Sequence, residues 1–244
     1  RNLNALSNNS CDTTLLLIRG FDIFAHITDE EYEELNLVHN FIEARKGEFI
    51  YFPSQNKRKL YFTKQGFIKI GYIDADGNEC IKEIIQKGEV FGQLTLEQNN
   101  LEDEFAQAYK ADVSLCAFNI EDFFSLLQKK PGMALSFSIH LWNKVKKVEN
   151  RLLNLLNKNV QSRLIHFLLS MVDLAELKRS GKTNVERYLT HDDIAKLIGS
   201  TRQTVTTTLT QLGNEELIAI NKTHIEIIKP NELKNLADVG HVNK

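Results

Sequence analysis

Residues Leu197 to Ile220 read LIGSTRQTVTTTLTQLGNEELIAI. Within them Arg202, Gln203, Thr206, Thr207 and Thr210 have side chains suited to touching the base edges of a DNA duplex. Arginine grips guanine O6 and N7 with two parallel hydrogen bonds, and glutamine does the same for adenine N6 and N7. Threonine brings a hydroxyl for phosphates or bases and a methyl that packs on the thymine methyl. Val205, Leu209 and Leu212 recur at i, i+4 and i+7, the buried stripe of a helix. The five polar residues fall off that stripe, near the helix start. Six of the ten residues from Thr201 to Thr210 are threonine. This β-branched residue costs about a few tenths of a kcal/mol in a helix against alanine, so packing from behind must hold the helix. An ordinary solvated helix pair explains the stripe equally well. It does not explain threonine where lysine and glutamate are usual.

The elements that must position these residues are legible around them. Thr190 precedes HDDIAKLIG, with Asp193 at the capping-box position and Ile194, Ala195, Leu197 and Ile198 as its apolar face. Gly199 ends that helix as a residue free to take positive φ, and Ser200 or Thr201 caps the next. Two helices joined by a tight glycine turn make a helix–turn–helix, whose second helix enters the major groove by its N-terminal end. His191 reads as a first-turn phosphate neighbour rather than a base. ELIAINKTHIEIIKP then gives two β-type runs around Asn221-Lys222, a small wing in which Lys222 reaches phosphate or is merely solvated. Upstream, NVQSRLIHFLLSMVDLAEL reads as an amphipathic helix, in which a lone His166 is a satisfied core residue, and KRSGKTNVE as a surface loop. This second domain spans 159–244.

Before it lies a segment of different texture. Thr28 with Glu31 forms a capping-box pattern that opens a short helix, TDEEYEELNLV. FIYF, KLYF, GFIKIGYI, ECIKEII and VSLCAF are short β-rich runs punctuated by turn residues, with Asp76-Gly77 a strong hairpin signal. Many short strands at regular spacing predict a sandwich or jelly roll, placed at 15–130. Asp122 to Gln128 forms a short helix stopped by Pro131. A long helix over 131–158 follows, where Leu141, Val145, Val148, Leu152 and Leu155 keep heptad spacing. That spacing predicts a parallel dimer seam flanked by Lys144 and Glu149, in competition with a helix buried on its own β-domain.

Composition excludes several classes. The chain of 244 residues is 42% hydrophobic and 25% charged, with net charge −2, so a DNA role must rest on a local site. No apolar run reaches a membrane span, and TTLLLIRGF is too short for a signal peptide. Cys11, Cys80 and Cys116 form no CxxC pair, which argues against zinc, iron–sulfur and disulfide frameworks and for a cytoplasmic protein. The seven histidines show no HExxH spacing, and GxSxG, P-loop and GxGxxG are absent. EEYEE and LEDE read as solvated acidic faces. An enzyme is not expected.

LTHDDIAKLIGSTRQTVTTTLTQLGNEELI resembles the DNA-binding helices of the Crp/Fnr family of bacterial transcription regulators, and its IGSTR.TVT core is similar to that of cyanobacterial nitrogen-control regulators. KGEFIYF and KQGFIKIGYIDADGNECIKEIIQKGEVFGQLTLE resemble the family's cyclic-nucleotide-binding-like β-roll. The resemblance implies an α+β architecture of β-roll, long dimerisation helix and winged helix–turn–helix. It further implies a homodimer on a two-fold symmetric double-stranded operator, with RNA polymerase as a partner. Position by position, Arg202, Gln203 and Thr207 fall at base contacts, and Thr190, Thr201 and Thr204 at phosphate contacts. Many members have an arginine where this chain has Thr207.

The same resemblance defines an effector pocket at Gly92, Gln93, Leu94, Glu104, Phe105, Lys144, Val148 and Glu149. Cyclic-AMP-binding members have glutamate at Gln93 and arginine-serine at Glu104-Phe105. A carboxylate repels a cyclic phosphate, by about 1 kcal/mol in water and severalfold more where water is excluded. Val148 and Glu149 replace adenine-contacting hydroxyls. Gly92 and Leu94 replace the Cys or His of haem sensors, and Cys11 alone cannot hold an Fnr-type cluster. For a 2-oxoglutarate pocket Lys144 and Glu149 look comparable, but Glu104 stands in place of an arginine. The expectation is therefore a regulator without cyclic AMP, haem or iron–sulfur control, its pocket remodelled for another effector or none. Against it stands the reading of Gln93 and Glu104 as plain surface residues. The alternative function is a sensory or scaffold protein with a degenerate winged helix.

Overall fold

The computed structural model describes residues 21–25, 27–28, 30, 39–52, 58–94, 104–172 and 183–239. The helix expected after Thr28, together with Cys11 and residues 178–182 of the expected loop, lies outside them. The chain divides into two compact units, residues 1–144 and 145–244, with the division inside the long helix.

The first unit is an antiparallel sheet of β1 (His39–Ala44), β2 (Phe49–Tyr51), β3 (Lys59–Ile73), β4 (Glu79–Ile85), β5 (Val90–Gly92) and β6 (Glu104–Asn119). Its order is β1-β6-β3-β4, with β2 added on β6 and β5 on β3. KLYF and GFIKIGYI are thus one strand of fifteen residues, not two. The reason is the bulge around Gln65, where pairing with β6 shifts register and the chain bends without breaking. Successive side chains of β3 enter opposite cores, Leu60 and Phe62 into one and Tyr61 into the other. Burial on both faces explains a strand that reads as a continuous apolar run. The Asp76-Gly77 hairpin is present: the Asp74 carboxylate accepts from the N–H groups of Asp76 at 3.0 Å and Asn78 at 2.8 Å.

Helix α1 (Ile120–Lys129) packs Phe123 against Phe62 and Phe118. Pro131 then opens α2 (Pro131–Asn157) instead of only ending α1, since a first-turn residue needs no N–H. Leu141, assigned to the seam, lies half-buried on the sheet's aromatic core. Past it, Val145, Val148, Leu152 and Leu155 are 57%, 61%, 54% and 38% exposed, so this chain alone leaves the stripe uncovered. Lys144 departs from its expected flanking role: its ammonium donates to Glu83 on β4 at 2.8 Å. Glu149 pairs with Lys146 of its own helix.

The second unit comprises α3 (Val160–Ser170), β7 (Thr183–Glu186), α4 (His191–Ile198), α5 (Arg202–Asn214), β8 (Ile218–Ile220), β9 (His224–Ile227) and α6 (Pro230–Val239). Residues 183–186, read as part of a loop, are a strand: Thr183 and Val185 alternate inward and pair with β9. Four residues carry too little period-two signal to stand out beside a charged, glycine-containing run. His166 on α3 is also not the satisfied residue expected. Its Nε2 is buried without a hydrogen-bond partner, 3.9 Å from Asp238.

Burial lowers the pKa values of His140, His166 and His191 below the usual histidine range. A group whose folded pKa lies below its unfolded value destabilises the fold once protons bind the unfolded chain more tightly. Stability is therefore expected to be full above about pH 6.5 and to fall as the pH drops below it. Thermal unfolding at pH 7.5 and 5.5 checks this, and equal or higher stability at pH 5.5 contradicts it.

Candidate nucleic-acid interface

The helix–turn–helix is assembled by local chemistry. Thr190 caps α4 by accepting from the Asp193 N–H at 3.1 Å, and Asp193 accepts from the Thr190 N–H at 2.9 Å, a reciprocal box. The Thr190 hydroxyl also bonds the Asp193 carboxylate. This residue, assigned to phosphate, is thus first a cap. Gly199 adopts φ 64° and turns the chain between the helices. A Cβ there would come within 3.0 Å of Leu155 Cδ2 and 3.3 Å of Arg163 Nη1. Gly199→Ala is expected to destabilise the second unit by about 1–2 kcal/mol, the left-handed penalty of an L-residue. Denaturant unfolding measures this, and an unchanged midpoint contradicts it. Thr201, rather than Ser200, caps α5 by accepting from the Thr204 N–H at 3.2 Å.

Val205, Leu209 and Leu212 are fully buried and hold α5 from behind, at about 1.5–3 kcal/mol each. Arg202, Gln203, Thr206, Thr207 and Thr210 are all exposed. Arg202, Gln203 and Thr207 have no side-chain hydrogen bond or ion pair among the described residues. Three threonine hydroxyls of this helix are bonded within it. Thr206 donates to the Arg202 carbonyl at 2.9 Å, Thr208 to that of Thr204 at 2.8 Å, and Thr210 to that of Thr206 at 2.9 Å. A threonine hydroxyl one turn below its acceptor bonds backbone as readily as water. Thr208, moreover, is buried.

His191 joins the two helices, with its Nδ1 2.8 Å from Thr206 Oγ1. Burial, then the charges of Arg187 and Arg202, lower the His191 pKa. Arg187 is a residue the sequence did not single out. Its Nη1 donates to the Asn221 carbonyl at 2.8 Å, and its backbone N–H to that of Thr223 at 2.8 Å, so it fixes the wing turn. Lys222, at that turn, is exposed and unpaired among the described residues.

The effector-pocket residues of the first unit form a different kind of site. Gly92 has φ 91°, and a Cβ would meet the Lys59 carbonyl at 2.6 Å. Gln93 is buried, and Leu94 packs at the edge of the aromatic core. Glu104, read as part of a solvated acidic run, is buried. Its carboxylate accepts from the Tyr51 hydroxyl at 2.7 Å and the Lys82 ammonium at 2.6 Å. Its partners lie on β2 and β4, far away in sequence, which is why LEDE looked uniformly solvated. Phe105 is buried beneath Phe49, its ring 5.7 Å away edge to face, with the Lys69 ammonium 5.7 Å from its centroid. A cyclic phosphate needs free cationic or N–H donors. At Glu104 a carboxylate stands instead, and it is already paired with the adjacent lysine.

Two family models match the chain and together take in roughly two thirds of it: the cyclic nucleotide-binding domain over residues 41–130 and the Crp-like helix-turn-helix domain over 162–236. The chain is 28% identical over 186 residues to the global nitrogen regulator of Nostoc sp., covering 76% of this chain and 83% of the relative. To the global nitrogen regulator of Synechococcus elongatus it is 29% identical, covering 77% and 85%. Among solved structures, a CooA mutant from Carboxydothermus hydrogenoformans superimposes with a TM-score of 0.71 at 20% identity, covering 91% of this chain and 95% of that one. The protein belongs to the Crp/Fnr family of transcription regulators.

Proposed function

We propose that this protein regulates transcription from the cytoplasm as a homodimer that binds a two-fold symmetric DNA operator, and that cyclic AMP is not its effector. One observation carries the DNA reading. Arg202, Gln203 and Thr207 stand exposed and, among the described residues, unengaged on the N-terminal half of a helix packed from behind by buried residues. Polar side chains without internal partners among the described residues, two of them long, on the helix that the motif presents to the major groove, are what base readout requires. Thr201, Thr204, Thr190 and Lys222 supply phosphate contacts around it. The uncovered stripe Val145, Val148, Leu152 and Leu155 supports the homodimer, since heptad spacing with exposed apolar residues is a seam awaiting its second strand. Among the described residues no helix is long and apolar enough to cross a membrane.

Selection from a random duplex pool tests the reading. The expected product is a pair of inverted half-sites centred about 34 Å apart, one DNA turn. A pool that stays random after enrichment contradicts it. For the effector, the Tyr51–Glu104–Lys82 cluster supports exclusion of cyclic AMP. Calorimetry is expected to show no micromolar binding of that nucleotide, and a micromolar isotherm overturns this part.

A further inference from the structure

The arrangement of donors along α5 separates two kinds of base readout. Gln203, Thr207 and Thr210 recur at i, i+4 and i+7, opposite the buried Val205, Leu209 and Leu212, and therefore form the outermost ridge of the helix. Only the first turn of this surface, Arg202 and Gln203, has side chains long enough to reach base hydrogen-bonding edges. Beyond it the exposed residues are Thr206, Thr207 and Thr210, until Gln211, whose amide donates to Glu215 at 2.9 Å. The Thr206 hydroxyl is engaged within the fold, bonded to the Arg202 carbonyl and to His191 Nδ1. The Thr210 proton goes to the Thr206 carbonyl. Beside the Thr207 hydroxyl, what the second turn offers an approaching duplex is methyl groups, held by stiff β-branched side chains.

We propose that Thr207 and Thr210 are specificity-determining residues that read thymine C5-methyl groups at neighbouring base pairs, beside those gripped by Arg202 and Gln203. Thymine alone carries a methyl on its major-groove edge. Three residues of helix advance by about 4.5 Å, against about 3.4 Å per base step, so the two threonines suit adjacent positions. The proposal rests on the DNA reading above and names the base class that reading leaves open.

The test starts from the selected operator. Each thymine of a half-site is replaced singly by deoxyuridine, which removes the methyl and leaves every hydrogen-bonding group in place. Affinity is measured by fluorescence anisotropy for the wild type, Thr207→Ser, Thr207→Val and Thr210→Ser. For the wild type, deoxyuridine at the contacted positions is expected to weaken binding about fourfold per methyl. At the Thr207 position this ratio falls to one in Thr207→Ser, which lacks the methyl, and persists in Thr207→Val, which keeps it. Thr210→Ser abolishes the ratio at the adjacent position only. Equal affinity for thymine and deoxyuridine throughout overturns the proposal while leaving the DNA reading intact. So does a ratio kept by Thr207→Ser but lost in Thr207→Val. A pool that yields no operator sinks the DNA reading and this inference with it.

Discussion

Arg202→Ala is expected to lose about 1–3 kcal/mol of operator affinity, about five- to 150-fold, and to relax preference at one base pair of each half-site. The size follows from geometry. The guanidinium is exposed and, among the described residues, without an ion-pair partner, so no bond seen there is broken to present its donors to a guanine. The backbone beneath it is fixed, because its carbonyl accepts from Thr206, which in turn is held by His191. Affinity for unrelated duplexes falls much less, since non-specific binding is carried by phosphate contacts in general. Titration of operator and scrambled duplex at one salt concentration separates the two. Equal losses on both assign Arg202 to phosphate and remove it from base readout.

Val145→Glu is expected to have the second large effect. In one chain Val145 is 57% exposed, and a charge there costs nothing. At a seam it buries two carboxylates against each other and against leucine, a desolvation of several kcal/mol per ion after relaxation. Sedimentation is expected to show monomers at micromolar concentration with unchanged circular dichroism. Operator affinity falls by about 10²–10⁴, the avidity lost when two half-sites are no longer engaged by one linked unit. A dimer that survives this substitution places the interface elsewhere.

The helix–turn–helix was legible because every signal for it is local. The Thr190–Asp193 box, Gly199 and the Val205–Leu209–Leu212 stripe each lie within two turns of the chain, and each forms in the structure. The β-unit was legible as a class but not in detail. The bulge near Gln65 hid the continuity of β3, and burial on two faces erased its alternation. What the sequence concealed most fully was pairing across distance. Glu104 meets Tyr51 and Lys82, Lys144 meets Glu83, and Arg187 meets Asn221 only once strands and helices are brought together. Heptad spacing could not show that Leu141 turns onto its own core while Val145 stays uncovered, because both satisfy the same repeat. Two threonine hydroxyls carry a local bond that spacing alone does not show. Thr206 and Thr210 donate to the helix's own carbonyl one turn back.

The central claim is that the exposed edge of α5 reads bases. Guanine N7-methylation interference on the selected operator tests it most directly, because a methyl on N7 blocks the bidentate arginine contact and leaves phosphates untouched. Two interfering guanines are predicted, related by the two-fold axis and about one helical turn apart, and both should lose their interference when Arg202→Ala replaces the wild type. Binding that is indifferent to N7 methylation, or interference that persists unchanged in Arg202→Ala, contradicts the claim.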